Sequence, residues 1–343
     1  MKTIEIHGST GDSIILISER LRNLREYIPS EKVVIITDTN VRRYYQQDFP
    51  SCEVIEIGTG ENIKSLDTVQ TIYGKLVDYE ADRSSFIVGI GGGVVCDIAG
   101  FVASTYLRGV SFGFVPSTLL SQVDASVGGK NGVNFGGYKN MVGIFRQPEF
   151  VICDTSLLRS LPEIEISSGL AEIVKHAAIG DVDLFSYLER YHEKALKLDS
   201  EIIENLVCGS LLIKSSIVNR DEKEEGERRK LNFGHTFGHA IEGTTGVPHG
   251  EAVSLGMVVA SAFSAKRNYL PYKDSERIEE LLRKLKLPTK IKLDRERVLD
   301  ALRKDKKREK DSIRFVFLQG IGNAVVEEIS IKELEHIVNL IVR

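Results

Sequence analysis

The segment Ser85-Phe-Ile-Val-Gly-Ile-Gly-Gly-Gly-Val-Val-Cys-Asp97 constrains this chain more than any other. A short apolar run ending in consecutive glycines, then a helix-compatible stretch, reads as a buried strand turning directly into a helix. Glycines at such a turn let the backbone approach a ligand, and the helix N-terminus behind them favours an anion. The run is not a GxGxxG fingerprint, because Val94 holds the last glycine position. A purely structural tight turn is therefore the competing reading.

The same texture repeats through the first half. Lys32–Asp38, Val110–Val115 and Phe150–Asp154 read as buried strands, and Met1–His7 alternates as a strand does. Ile63, Leu66, Val69, Tyr73, Leu76 and Val77 recur at helical spacing, and Val94–Tyr106 reads as the helix behind the glycines. Such alternation predicts a parallel sheet covered on both faces. After Leu161-Pro162 helical patterns dominate, over Ile166–Ala178, Glu201–Asn219, Asn232–Gly243 and Glu251–Arg267. Lys273-Asp-Ser-Glu276 is expected to cap a helix ending before Pro288, and Ser330 with Glu333 to form a capping box for the last one. The expected architecture is an α/β Rossmann-like N-terminal domain with a parallel sheet, residues 1–160, and an all-α C-terminal domain, 161–343.

A length of 343 residues suits two domains. Net charge of −4 and a pI near 6.1 offer no basic field for nucleic acid. No apolar run reaches membrane-spanning length and the N-terminus lacks a signal-peptide core, so neither membrane nor export is expected. Cys52, Cys96, Cys153 and Cys208 are widely spaced with no CxxC pair, which fits reduced thiols in the cytoplasm.

Three of the seven histidines, His235, His239 and His249, fall within fifteen residues. His235 and His239 are four apart, so on a helix both could face one metal ion. An ordinary pair of polar residues at a helix end is the bland alternative. Glu172, three residues before Lys175 on another helical stretch, would supply an anionic ligand, although an exposed ion pair is the usual meaning of that spacing. Asp38 ends a strand, where an acidic residue can hold a ribose or simply cap the next turn. Gly128-Gly-Lys130 and Lys139-Asn140 pair glycine with cations suited to phosphate, and Lys214, Arg228 and Asn232 could hold a carboxylate.

Taken together, GGGVVCDIAGF (91–101), YLRG (106–109), PSTLLSQVDASVGGKNGVN (116–134), GGYKN (136–140), GLAEIVKH (169–176), LNFGHTFGHAIE (231–242) and HGEAV (249–253) resemble the 3-dehydroquinate synthase family of sugar-phosphate cyclases. The resemblance runs from about Asp38 to Lys307. It implies a dehydroquinate-synthase-like fold and metal ligands at Glu172, His235 and His249, which moves His239 out of the ligand set and into the substrate pocket. NAD+ positions fall on Asp38, Asn40, Glu61, Lys64, Gly91, Gly92, Gly93, Asp97 and Thr118, with Ser117 (a threonine in the usual pattern) and Lys139 beside them. Substrate positions fall on Asp124, Lys130, Asn140, Lys175, Lys214, Arg228, Asn232 and His239. Arg108 matches an arginine that reaches the phosphate from a second subunit, implying a homodimer, and Lys306 or Lys307 supplies a further phosphate lysine. The implied metal is zinc, with cobalt fitting the same ligands. The implied reaction turns 3-deoxy-D-arabino-heptulosonate 7-phosphate into 3-dehydroquinate and phosphate, a phosphorus–oxygen lyase step of the shikimate pathway.

Two other enzyme classes share parts of this pattern. A polyol dehydrogenase would use similar histidines but not the lysine, arginine and asparagine set. Cyclases acting on neutral sugars would not need Lys214, Arg228 and Asn232 for a carboxylate. A non-catalytic ligand-binding protein would have no use for the complete set of catalytic-type residues.

Overall fold

The structure, a computed structural model, describes residues 2–291, 295–303, 308–309 and 312–341. It forms two units, Met1–Pro162 with Lys214–Glu222, and Glu163–Ile213 with Lys223–Arg343.

In the first unit β1 (Lys2–Gly8) and β2 (Gly11–Ile17) form an antiparallel hairpin. β3 (Val33–Asp38), β4 (Glu53–Ile57), β5 (Phe86–Gly91) and β6 (Ser111–Pro116) follow. β7 (Lys130–Phe135) and β8 (Tyr138–Phe145) make a separate two-stranded ribbon, and β9 (Phe150–Cys153) returns to the main sheet. The main sheet runs β1-β2-β9-β6-β5-β3-β4, parallel throughout except at the β1 edge. That exception has a local cause: the two-residue turn Ser9-Thr10 can only reverse the chain, whereas parallel neighbours need a crossover. All six residues of β5 are buried, which is why the run is continuously apolar rather than alternating.

α1 (Thr39–Tyr45), α2 (Leu66–Asp78) and α3 (Gly93–Thr105) lie in the crossovers of this sheet. α2 buries Val69, Ile72 and Leu76, the helical stripe visible in the sequence. The chain leaves β3 on the side of β4 and re-enters at β5 on the other side. This reversal is a topological switch point, and the carboxyl ends of its strands are Asp38 and Gly91.

The second unit is built on helices, α4 (Glu163–Gly180), α5 (Val182–Leu196), most of α6 (Ser200–Arg220), α7 (His235–Thr245), α8 (His249–Lys266), α9 (Tyr272–Lys284), α10 (Arg295–Arg303) and α11 (Ile331–Ile341). The last turns of α6, from Lys214, group with the first unit. α4 and α8 are buried almost all round, so neither needs a polar face.

The second unit departs from an all-helical expectation in one respect: β10 (Arg308–Glu309), β11 (Ser312–Leu318) and β12 (Ala324–Ser330) form an antiparallel sheet. Phe315 and Phe317 of β11 pack on Phe263 of α8 at ring distances of 5.3 and 4.9 Å. A flanking core thus converts a short aromatic run into strand. Ser330 caps α11, accepting from the Glu333 amide at 3.2 Å as the capping-box pattern predicts. α9 instead starts after Pro271, so Asp274 lies in its first turn rather than at its cap. No helix among the described residues is long and apolar enough to cross a membrane, and all four cysteines are free.

Candidate active site

In the second unit, α4, α7 and α8 bring Glu172, His235 and His249 together. Glu172 is fully buried and divides its carboxylate: Oε2 pairs with Lys175, whereas Oε1 lies 3.0 Å from His249 Nε2 and 3.5 Å from His235 Nε2. The helical spacing of Glu172 and Lys175 therefore marks a buried pair rather than a solvated one. The other nitrogen of each imidazole is engaged as well. His235 Nδ1 lies 3.1 Å from the Phe233 carbonyl, which can only accept, so its Nε2 presents a lone pair. His249 Nδ1 lies 3.4 Å from Glu242 Oε2.

Two imidazole nitrogens that present lone pairs and a carboxylate oxygen repel at one point unless a proton or a metal ion sits among them. Consistently, the His249 imidazole is pushed up to about 9; burial lowers it, but the hydrogen bonds and charges of Glu172 and Glu242 outweigh that effect. Ligands of a tetrahedral zinc ion at its usual bond lengths stand roughly 3.4 Å apart. The distances of 3.0 and 3.5 Å and the nitrogen–oxygen donor set fit such an ion.

His239 lies one turn along α7, its ring 5.2 Å from that of His235 and edge-on to it. It is exposed and stands outside the converging trio, so the expectation from the HxxxH spacing that it joins His235 at one point is not met. The imidazole that does converge with His235, that of His249, comes from a different helix.

Helix contact explains why the trio meets. A Cβ on Gly250, next to His249, would overlap the backbone of Ser168, one turn before Glu172. A Cβ on Gly256 would overlap the carbonyl of Gly234, next to His235. Glycines thus let α8 touch the segments that carry Glu172 and His235 backbone to backbone. Gly250→Ala is expected to destabilise the protein by about 1–3 kcal/mol, since neither backbone can yield cheaply. It should also weaken metal binding about tenfold by parting Glu172 from His249. Thermal unfolding and a metal titration would read the two effects, and an unchanged titration would separate helix contact from metal geometry.

Arg228 and Asn232 lie on the 3-10 turn Glu227–Asn232 that leads into α7, Arg228 buried and Asn232 donating to Glu224. Glu242, the Phe233 carbonyl and Gly250 were not singled out from the sequence. The one signal for them was the density of small residues around HTFGH and HGEA. Lys306 and Lys307 lie outside the described residues.

The first unit gathers a second set at the switch point. Asp38 caps α1, its Oδ1 accepting from the Asn40 and Val41 amides at 2.9 and 3.0 Å, and burial raises its carboxyl against those bonds. The Asn40 side chain is exposed beside it. Gly92 caps α3, and a Cβ on Gly91 would overlap Val95, so the turn is tight for packing reasons as well. The Ser117 amide donates to the Gly91 carbonyl at 2.8 Å, tying the end of β6 to that turn. Thr118 bonds Ser121 at 2.8 Å.

Lys64 is buried and its ammonium reaches Asp97, on α3, and Asn140 Oδ1. Burial raises the Asp97 carboxyl and Lys64 opposes that shift. Glu61 accepts from Asn134 at 2.8 Å. Lys214 reaches both the backbone carbonyl and the carboxylate of Asp124. Lys130, at the start of β7, and Lys139, on β8, are exposed. Arg108 is exposed on a turn where Leu107, Arg108 and Gly109 all have positive φ, at 49°, 71° and 118°. Two consecutive non-glycine residues in the left-handed region cost energy that an ordinary connection would avoid.

The family model described as 3-dehydroquinate synthase N-terminal matches residues 54–168, and the one described as 3-dehydroquinate synthase C-terminal matches residues 169–308. The chain is 41% identical to a 3-dehydroquinate synthase of Dehalococcoides mccartyi (strain CBDB1), over 96% of each chain. It is 42% identical to one from Thermoanaerobacter pseudethanolicus, over 91% of each. Among solved structures, a 2-deoxy-scyllo-inosose synthase complexed with carbaglucose-6-phosphate, NAD+ and Co2+ superposes with a TM-score of 0.88 at 26% identity, covering 98% of this chain and 99% of that one. Matched through both halves and at this identity over nearly its whole length, the chain belongs to the 3-dehydroquinate synthase family.

Proposed function

We infer that the protein acts as a 3-dehydroquinate synthase, converting 3-deoxy-D-arabino-heptulosonate 7-phosphate into 3-dehydroquinate and inorganic phosphate. The overall change is a transient oxidation, β-elimination of phosphate, re-reduction and intramolecular aldol closure, with no net consumption of NAD+. The observation that carries this reading is the convergence of Glu172, His235 and His249 in a chain that matches the family through both halves. The cyclase structure with NAD+ and Co2+ supports the same pair of cofactors here.

NAD+ supplies a reversible hydride acceptor, and the metal ion, zinc or cobalt, supplies a Lewis acid for the substrate hydroxyls. In this reading Glu172, His235 and His249 hold the metal, with Lys175 fixing the orientation of the carboxylate. Asp38, Asn40, Glu61, Lys64, Gly91, Gly92, Gly93, Asp97, Ser117, Thr118 and Lys139 hold NAD+. The N-terminus of α3 takes its pyrophosphate. Lys214, Arg228 and Asn232 bind the substrate carboxylate, Lys130, Asn140 and His239 bind the phosphate, and Asp124 orients Lys214. Fixing both charged ends of a flexible sugar acid provides the positioning that several successive steps require. The departing phosphate can accept the neighbouring proton itself, so no strong side-chain base is needed. The first unit is then the NAD-binding domain and the second the metal- and substrate-binding domain.

Incubation with the heptulosonate phosphate, catalytic NAD+ and zinc is expected to release phosphate and form 3-dehydroquinate with no NADH accumulating. Steady NADH without phosphate would mean a dehydrogenase. Inertness toward this substrate alone would favour a neutral-sugar cyclase.

The exposed, positive-φ turn at Arg108 supports a homodimer in which this arginine reaches the partner's phosphate site. Arg108→Ala should lower activity at least a hundredfold. Mixed with Glu172→Gln subunits, it should recover up to about a quarter of wild-type activity in hybrid dimers, because one of the two sites becomes whole. No recovery on mixing exchange-competent subunits would place Arg108 in its own subunit's site. Four free thiols suit the cytoplasm as the place of action.

A further inference from the structure

The first unit holds the end of α6 at two places, and only one of them is Lys214. Lys214 meets Asp124 at the front. At the rear, Asn219 Oδ1 accepts from the His7 amide of β1 at 3.0 Å, and its Nδ2 donates to the Glu5 carbonyl at 3.4 Å. Two residues past the helix, the Glu222 carboxylate accepts from Ser9 Oγ at 2.7 Å, Thr10 Oγ1 at 2.5 Å and Gln147 Nε2 at 2.9 Å. These donors come from the β1–β2 turn and the segment leading into β9. Burial would raise the Glu222 carboxyl, but the three side-chain donors bring it down to about 2, so it is ionised throughout the physiological range. The turn is shaped for this carboxylate, because a Cβ on Gly8 would overlap it.

We propose that Glu222 is a positioning residue for substrate binding, clamping the end of α6 to the β1–β2 turn and so setting where Lys214 presents its ammonium beside Asp124. Six residues of helix, roughly 9 Å at the usual rise, lead from Lys214 to the helix end at Arg220, two residues before Glu222. Over that length a helix transmits an axial slip almost undiminished. A slip of about 1 Å at a binding cation is enough to cost one to two orders of magnitude in reaction rate. The proposal rests on the reading of Lys214 as a ligand of the substrate carboxylate.

The test compares Glu222→Ala, Glu222→Gln and Gly8→Ala by steady-state kinetics and thermal unfolding. Glu222→Ala should raise KM for the heptulosonate phosphate about tenfold while leaving KM for NAD+ within twofold. Glu222→Gln keeps a carbonyl acceptor of the same length and should restore most of the loss. Gly8→Ala leaves the charge in place but crowds the carboxylate, and should raise the same KM by less than Glu222→Ala does. Lys214→Ala should raise the same KM, and adding Glu222→Ala to it should have little further effect. A Glu222→Ala protein with a lowered Tm and unchanged KM would overturn the proposal, and so would an equal rise in both KM values. If Lys214→Ala itself leaves KM unmoved, the carboxylate role of Lys214 fails first. If Lys214→Ala raises KM and Glu222→Ala does not, only the clamp fails.

Discussion

Glu172→Gln is expected to leave a folded protein that neither retains metal through dialysis nor releases phosphate. The amide keeps the shape of the side chain and removes its charge. That charge balances Lys175 on one oxygen and, on the other, faces two imidazole nitrogens across a point that a cation would fill. Removing one partner of a buried ion pair costs about 3–5 kcal/mol. A fall in Tm should therefore accompany the loss of metal. Turnover should drop at least a thousandfold, because the Lewis acid and its orientation are lost together. Metal content after dialysis and phosphate release at saturating substrate measure the two effects. A variant that keeps both metal and turnover would show that the convergence of these side chains has nothing to do with catalysis.

Lys64→Met should be nearly as damaging, in the other unit. Lys64 is buried with its ammonium on Asp97 and Asn140. Methionine retains the length and leaves a largely buried carboxylate without its cation, at about 3 kcal/mol of stability at most. NAD+ affinity should fall at least tenfold if this cluster borders the cofactor. The loss should depend on pH in a determined direction. Burial already raises the Asp97 carboxyl, and Lys64 is the main group opposing that rise. Without it, the folded pKa stands further above the unfolded one, so the folded state binds more protons between the two values. The destabilisation is then smallest below the unfolded pKa and grows as pH rises through the folded one. Adding Asp97→Asn should recover part of the stability, and a double mutant less stable than Lys64→Met would exclude a charge-pair origin.

Much of the site was legible in the residues. The strand–glycine–helix segment at Gly91–Gly93, the strand-ending Asp38 and the histidine cluster could each be assigned a chemistry from local pattern alone. The exposed or buried state of a pair could not. Glu172 and Lys175 have the spacing of a common surface ion pair, and only the fold buries them beside two histidines. The strands β11 and β12 are not legible locally, because their aromatic alternation is brief and lies among long helical stretches. Their packing on Phe263 is a contact from more than fifty positions away, invisible to any local window.

The sequence by itself determined the strand–helix alternation of the first half, the main helices of the second, the glycine turns and the types of side chain available for chemistry. These follow from interactions within a few residues, such as backbone propensity, capping and apolar period. The tertiary structure decided that His249 rather than His239 joins His235, which carboxylate oxygen faces them, and how the β1 edge is paired. It also decided that Glu222, an unremarked acidic residue in the sequence, grips the turn of β1 and β2. The reason is the same in each case. Glu172 and His249 stand 77 positions apart, and Glu222 stands 212 from Thr10. Whether such residues meet depends on how closely helices and strands can pack, which at Gly250 and Gly8 is set by the absence of a single carbon atom.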